Sequence, residues 1–224
     1  MTTRLLHVVC TPRGLASNTA RVSSALLEAM MEQDEDLTIT TLDLFKADLP
    51  AVAGRNIESK YMLMTGQALD ETAQTSWRQI EKTIEQFLDH DVYLLTVPMW
   101  NFGIPYALKY YIDAIVQPGY LFRYLPDGTP EGLIHDRKMI VVTSRGGDYS
   151  GAMKPFDFLE PYLRSIFGFV GITDVDFFNA QPMDISVEIR RNAQRETMRE
   201  VRAYAEACGW RVGGRPEELT AAAG

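Results

Sequence analysis

Apolar and polar positions along the chain follow a repeating order of strand and helix. Five short runs rich in apolar residues predict strands, and apolar stripes with a 3.6-residue period predict helices between them. The five predicted strands, numbered one to five in chain order, are Leu5–Cys10, Leu37–Leu44, Val92–Val97, Met139–Thr143 and Val175–Phe178. The second alternates apolar and polar residues, as a half-buried edge strand does, whereas the third and fourth are almost wholly apolar and indicate central strands.

The apolar stripes predict five helices. They cover Val22–Met30, Trp77–Leu88, Leu108–Ile115, Phe158–Ile166 and Ile185 to about Cys208. N-cap residues precede the first stripe, Pro105 opens the third helix, and Gly168 is expected to close the fourth.

Two segments interrupt the alternation. No clean period survives between Phe45 and Asp70, where we expect one short helix near Lys60–Met64. Aromatic alternation within Tyr120–Leu133, around Asp127-Gly128, predicts a β-hairpin beside the sheet.

Strands that alternate with helices indicate an α/β fold. The pattern predicts a flavodoxin-like, doubly wound, five-stranded parallel sheet of order 2-1-3-4-5, with helices on both faces and a small hairpin insertion. We expect one domain over residues 1–210 and a mobile tail over residues 211–224.

Three loops follow the predicted strands one, three and four, which are neighbours in that sheet order. They are Thr11–Thr19, Pro98–Gly103 and Ser144–Gly147. Loops at the carboxyl ends of neighbouring parallel strands converge, so we expect one ligand crevice. Hydroxyls before the first helix suit a phosphate, although a capped helix without a ligand explains them equally well. In the third loop the glycines permit close approach to a ligand, and Arg145 either offers a cation or is solvated.

Composition narrows the partners. The 224 residues carry a net charge of 22 − 30 = −8, which argues against a nucleic-acid or anionic-membrane surface. Two cysteines far apart, and no signal-peptide pattern before the first strand, predict a reduced, cytoplasmic protein. No apolar run approaches the length that a membrane span needs, no metal-ligand spacing is present, and we expect structural roles for all three histidines.

Specific motifs add a family resemblance over most of the chain. The segments that carry it are SNT at Ser17–Thr19, PMWNFGIPYALKYYID at Pro98–Asp113, GYLFRY at Gly119–Tyr124, PEGL at Pro130–Leu133, TSRGG at Thr143–Gly147 and LRSIFGFVGITDVDF at Leu163–Phe177. With these motifs the chain resembles the FMN-dependent NADH-azoreductase and quinone oxidoreductase family of the flavodoxin-like superfamily.

The resemblance implies a set of cofactor-binding residues. It assigns the FMN phosphate to Thr11, Ser17, Asn18 and Thr19. One side of the flavin ring is assigned to Pro98, Met99, Trp100, Asn101 and Phe102, and the other side to Ser144, Arg145, Gly146 and Gly147. Backbone N–H groups of Asn101 and Phe102 would then be the catalytic donors, which stabilise charge on the ring. Trp100 stands where tyrosine is common, so it should alter the substrate slot.

By the same resemblance, NADH or NADPH would reduce FMN, and FMN would then reduce a quinone, azo or related aromatic acceptor in a ping-pong sequence. The family is typically homodimeric. Two alternatives stay open: a specialised pathway reductase whose slot is shaped by Trp100 and residues 45–70, and an FMN electron carrier that serves a protein partner.

Overall fold

In a computed structural model of the chain, residues 2–212 are described. The strands are β1 (Arg4–Val9), β2 (Thr38–Asp43), β3 (Val92–Pro98), β4 (Phe122–Tyr124), β5 (Pro130–Gly132), β6 (Lys138–Ser144) and β7 (Asp174–Ala180). Five of them form a parallel sheet of order β2-β1-β3-β6-β7, and β4 pairs with β5 in an antiparallel hairpin. The predicted sheet order, the parallel direction and the hairpin are therefore confirmed.

Within residues 2–212, five α-helices lie between strands and a sixth follows β7. They are α1 (Asn18–Gln33), α2 (Arg55–Met64), α3 (Glu71–Leu88), α4 (Tyr106–Ile115), α5 (Leu159–Phe169) and α6 (Val187–Glu206). Side-chain caps mark three of the starts, because Ser17, Asp70 and Ser186 each accept a hydrogen bond from the backbone N–H three residues later. The helix expected near Lys60–Met64 is longer, since it begins at Arg55 directly after Gly54.

The expected closure of α5 at Gly168 is wrong. The helix runs through that residue to Phe169, and the residue with a left-handed backbone is Gly171, at a φ of 106°. The N–H of Gly171 bonds to the carbonyl of Gly168 and the N–H of Ile172 to that of Phe167. These two bonds form a Schellman motif, in which the left-handed glycine lies beyond the last helical residue.

Helices pack on both faces of the sheet, as predicted. Residues of α3, α4 and α5 form one core with Leu6, Tyr93 and Leu95, whereas α1 and α6 pack on the other face. Alternate residues of β3 point to opposite faces, so one strand contributes to both cores. The core on the α1 face reaches Trp210, which is fully buried, and Arg211 pairs with Asp34 at 3.3 Å. Most of the predicted tail, residues 213–224, lies outside the described residues.

Candidate active site

The three predicted loops meet at the carboxyl edge of the sheet. The backbone N–H of Met99 donates to the carbonyl of Ser144 at 2.9 Å, which joins the loop after β3 to the end of β6. The Oγ atom of Ser144 lies 2.5 Å from Oγ1 of Thr19, in the first turn of α1. Ser144 therefore links all three loops, and the sheet order brings together segments that are far apart in sequence.

The loop after β1 presents hydroxyl groups at the start of α1. Thr11, Ser17 and Thr19 are all buried, and Oγ of Ser17 accepts a hydrogen bond from the N–H of Ala20. The first N–H groups of a helix have no acceptor inside the helix, so those of Asn18 and Thr19 point out of its N-terminus. With the positive end of the helix dipole, they favour an anion at this position.

The loop after β3 contains a strained turn. Trp100 and Gly103 exchange two backbone hydrogen bonds of 3.0 Å, and the residues between them have positive φ angles, 48° for Asn101 and 69° for Phe102. Positive φ at both central positions is the geometry of a type I′ turn. The backbone N–H groups of these two residues donate no hydrogen bond to any residue between 2 and 212.

This turn was not predicted from the sequence. Type I′ turns favour asparagine followed by glycine, and here phenylalanine occupies the second central position. A left-handed backbone costs a residue with a side chain about 1–2 kcal/mol. The strain and the two unpaired donors thus coincide at the two residues assigned a catalytic role.

The side chain of Arg145 is buried and forms ion pairs. Its side chain is 2% exposed, and its Nη1 atom lies 2.9 Å from Oδ2 of Asp157. A second carboxylate, that of Glu160, lies 3.7 Å from Nη2. Of the two roles left open for Arg145, solvation is excluded, because Asp157 from the segment before α5 and Glu160 from the first turn of α5 both lie against its guanidinium group.

Gly146 approaches another part of the protein closely. A Cβ atom at this position would lie 2.6 Å from Oδ2 of Asp184, and the Gly146 carbonyl accepts from the N–H groups of Met183 and Asp184. The adjacent Gly147 faces the ring of Tyr149, which would lie 3.6 Å from a Cβ atom at residue 147. The contact is with the end of the Asp184 side chain, which is 77% exposed, so a larger residue at position 146 would displace that carboxylate.

Aromatic rings surround the strained turn on two sides. Trp100 packs against Phe45 with ring centroids 5.9 Å apart and against Tyr106 at 6.4 Å, while Phe45 and Tyr106 lie 5.7 Å apart. We call these three residues the aromatic wall. Phe45 comes from the segment without a period, and periodicity gave no signal of its position.

The other side of the turn is formed by a segment that was also missed. A short 3-10 helix at Lys154–Phe156 places the Phe156 ring 5.6 Å from that of Phe102. The N–H of Phe158 donates to the Phe102 carbonyl at 3.0 Å. An apolar cavity of about 510 Å³ adjoins this side and is lined by residues that include Gly103, Phe158 and Tyr162.

His7 lies beneath α1 in a chain of polar side chains. Its Nε2 atom is 2.8 Å from Oγ1 of Thr96, which donates to Oγ of Ser23 at 2.7 Å. Burial lowers the pKa of His7 from 6.5 to about 4, so the ring is neutral at pH 7. His90 bonds to the carbonyl of Gln86 through Nδ1, and His135 is exposed. The hydrogen bonds of His7 and His90 fit the structural roles expected for these two residues, whereas the role of His135 stays a prediction.

Comparison with known proteins identifies the family. A family model described as flavodoxin-like fold matches residues 3–205. An FMN-dependent NADH:quinone oxidoreductase of Ruegeria pomeroyi is 39% identical over 182 residues, which cover 80% of this chain and 89% of the relative. The chain belongs to the flavodoxin-like family of FMN-dependent NADH:quinone oxidoreductases and azoreductases. The predicted resemblance is thereby confirmed.

Solved structures of this family agree with the fold. The crystal structure of an azoreductase from Bacillus anthracis matches with a TM-score of 0.82 and 28% identity, over 91% of this chain and 98% of the other. An FMN-dependent NADH-azoreductase from the same species, solved in complex with FMN, matches with a TM-score of 0.78 and 26% identity, over 91% and 99% of the two chains.

Within residues 2–212, no helix is long and apolar enough to cross a membrane. The same part of the chain contains no group of three His, Cys, Asp or Glu side chains placed to hold a metal ion.

Proposed function

We propose that this protein is an FMN-dependent NAD(P)H oxidoreductase that reduces quinones, azo compounds or related aromatic acceptors. The observation that carries the proposal is the Trp100–Gly103 turn, which holds two strained residues with unpaired N–H donors at the carboxyl end of a central strand. Strain of this kind persists where the surrounding structure over-determines it, which is typical of ligand and catalytic sites.

The residues present fit FMN. The N-terminus of α1 and the hydroxyls of Thr11, Ser17 and Thr19 would hold the phosphate, with Asn18 contributing its backbone N–H. The segments Pro98–Phe102 and Ser144–Gly147 would border the flavin ring, and the Met99–Ser144 hydrogen bond keeps them adjacent. When bound, FMN supplies hydride and electron chemistry. The hydride would come from NADH or NADPH, and the electrons would pass to the acceptor in a ping-pong sequence.

The backbone of Asn101 and Phe102 would provide fixed donors for negative charge on the bound ring. Because the turn already holds both N–H groups unpaired, they can donate to a negatively charged group without rearrangement of the turn. We therefore assign the catalytic contribution to the two backbone amides and not to the two side chains.

The aromatic wall would set acceptor preference. Trp100 is braced by Phe45 from the segment after β2 and by Tyr106 at the start of α4. Flat aromatic acceptors stack on such rings, and a braced indole restricts the slot more than a free side chain would. This arrangement also supports the narrower alternative of a specialised pathway reductase.

We further propose that residues 1–210 form a single FMN-binding domain and that the protein is a cytoplasmic homodimer. Exposed aromatic side chains cluster around the turn, namely Phe102, Tyr106, Phe156 and Phe158, and the Tyr106 side chain is the most accessible at 72%. Contiguous exposed apolar surface is typical of an interface, and a second subunit would wall the site here. Light scattering that gives a monomer would contradict this assembly.

Anaerobic spectroscopy tests the function. Purified protein, supplied with FMN, is expected to be yellow, to be bleached by NADH or NADPH and to regain its colour with a quinone. Separate titrations with the two nucleotides determine which is the co-substrate. Failure to bind FMN would overturn the proposal, while bleaching by dithionite alone would favour the electron carrier.

Two substitutions at Asn101 separate the backbone from the side chain. Asn101→Gly removes the side chain but accepts the φ of 48°, so FMN affinity and turnover should stay within a few fold. Asn101→Val introduces a β-branched residue that disfavours this φ, so both should fall by at least about tenfold. Equal losses in the two variants would transfer the role to the Asn101 side chain.

A further inference from the structure

A second, polar cavity of about 600 Å³ lies between the N-termini of α1 and α6. The first residues of both helices, Asn18 and Val187, line it. Asn18 is also assigned to the FMN phosphate, so this cavity adjoins the proposed cofactor site without containing its turn or its aromatic wall. The proposed cofactor site uses only Asn18 among the residues that line this cavity.

Four arginines line this cavity, and we call them the arginine cluster: Arg13, Arg21, Arg190 and Arg191. The only carboxylate among the lining residues is Asp184. This excess of positive charge contrasts with the whole chain, which has 30 acidic and 22 basic residues. Four arginines beside one carboxylate are therefore unexpected in a chain in which acidic residues outnumber basic ones.

The arginine cluster is only partly neutralised. Arg190 is held in place, since its Nε donates to the Met183 carbonyl at 2.6 Å and its Nη2 lies 3.9 Å from the Asp184 carboxylate. The side chains of Arg13 and Arg191 make no ion pair or hydrogen bond with other residues of the described range 2–212. Like charges gathered around one cavity repel each other, and an anion with two or more charges relieves that repulsion.

We propose that the arginine cluster binds the phosphate groups of a nucleotide. Guanidinium groups form paired hydrogen bonds to phosphate oxygens, and the N-terminus of α6, which begins at Val187, adds positive partial charge at the same place. A volume of about 600 Å³ is in the usual range for a small-molecule site and exceeds what a single phosphate fills. The source is either the adenosine end of the dinucleotide co-substrate or a separate nucleotide.

Calorimetric titration tests this binding without requiring turnover. The full chain, with FMN added to saturation, is titrated with inorganic pyrophosphate, ADP and 2′,5′-ADP at one fixed low ionic strength. Arg13→Gln and Arg191→Gln should each raise the Kd of the bound probe by at least about fivefold, and the double variant by at least about 25-fold, since charge-assisted bonds are lost.

The matched control is Arg199→Gln, on the same helix as Arg191. Arg199 is 81% exposed, pairs within residues 2–212 only with Glu196, at 3.7 Å, and does not line the cavity. The control removes the same charge, so its Kd should stay within about twofold of the original protein's. If Arg199→Gln raised the Kd of the probe as much as the cluster variants do, net charge alone would explain the change, and the proposal would be overturned.

Two further outcomes would also overturn it. One is the absence of binding for all three probes. The other is a loss of FMN affinity in the arginine variants with unchanged probe binding, which would assign the cavity to the FMN phosphate. Competition between 2′,5′-ADP and NADPH would identify the ligand as the co-substrate, whereas binding without competition would identify a separate nucleotide. Pyrophosphate binding is measured without turnover, so its result is independent of whether the protein catalyses the proposed reaction.

Discussion

Replacing Arg145 with methionine tests the ion pair that joins the loop after β6 to the start of α5. Arg145 is 2% exposed, and its partner Asp157 is 10% exposed. Methionine fills a similar volume without charge, so the substitution leaves a carboxylate buried without its cation. The other oxygen of Asp157 still accepts from the N–H groups of Leu159 and Glu160, at 3.0 and 3.2 Å.

The expected cost follows from that geometry. Removing one member of a buried ion pair costs about 3–5 kcal/mol, because the remaining charge is uncompensated. The two backbone hydrogen bonds that Asp157 keeps stabilise its charged form, so we expect the lower end, about 3 kcal/mol. For a protein of this size, that loss lowers the Tm by roughly 6–12 °C. A domain with about 5–15 kcal/mol of stability would still fold.

Urea unfolding followed by circular dichroism measures the loss. Arg199→Met is the control, since its exposed pair should contribute less than about 0.5 kcal/mol. Asp157→Asn keeps an oxygen that can accept the two N–H bonds, and combined with Arg145→Met it removes both charges. The double variant should therefore be more stable than the sum of the single losses predicts. A loss below about 1 kcal/mol for Arg145→Met, or simple additivity, would refute the reasoning.

Three further predictions concern the acceptor slot, pH and chain geometry. Trp100→Tyr should change the order of kcat/KM among a panel of quinones and azo dyes while FMN affinity stays within a few fold; an unchanged order would remove Trp100 from the slot. The pKa of His7 is lowered from 6.5 to about 4, so its stabilising contribution is complete above pH 6.5 and is lost as the pH falls towards 4, by up to about 3 kcal/mol. His7→Gln should flatten the urea stability profile over that pH range, and an identical profile would contradict the assignment. Gly171→Ala should cost at least about 3 kcal/mol, because its Cβ would lie 2.4 Å from the Ile134 carbonyl at a φ of 106°. Gly168→Ala, a helical position with open space around the Cβ, should stabilise by about 0.5–1 kcal/mol, so similar urea midpoints for the two alanine variants would be inconsistent with this geometry.

Local patterns were sufficient for most of the fold. Apolar runs located the strands, and the cap before α1 was visible as Ser17 followed by an apolar stripe. The hairpin was visible as Asp127-Gly128, where Gly128 has a φ of 84°. The end of α5 was not located from the sequence, because Gly168 and Gly171 are equally good local signals for the end of a helix. Only the hydrogen bonds around the helix end distinguish them.

The sequence by itself determined the strand and helix order, the three loops at one sheet edge and the family motif from Pro98 to Asp113. These depend on periodicity and on contiguous residue types, which are local properties of the chain. Tertiary structure decided the features that depend on distant segments: the turn at Asn101, the burial of Arg145 by Asp157 and the arginine cluster. Arg13 and Arg191 line one cavity only because α1 and α6 pack side by side, and no local pattern encodes that contact.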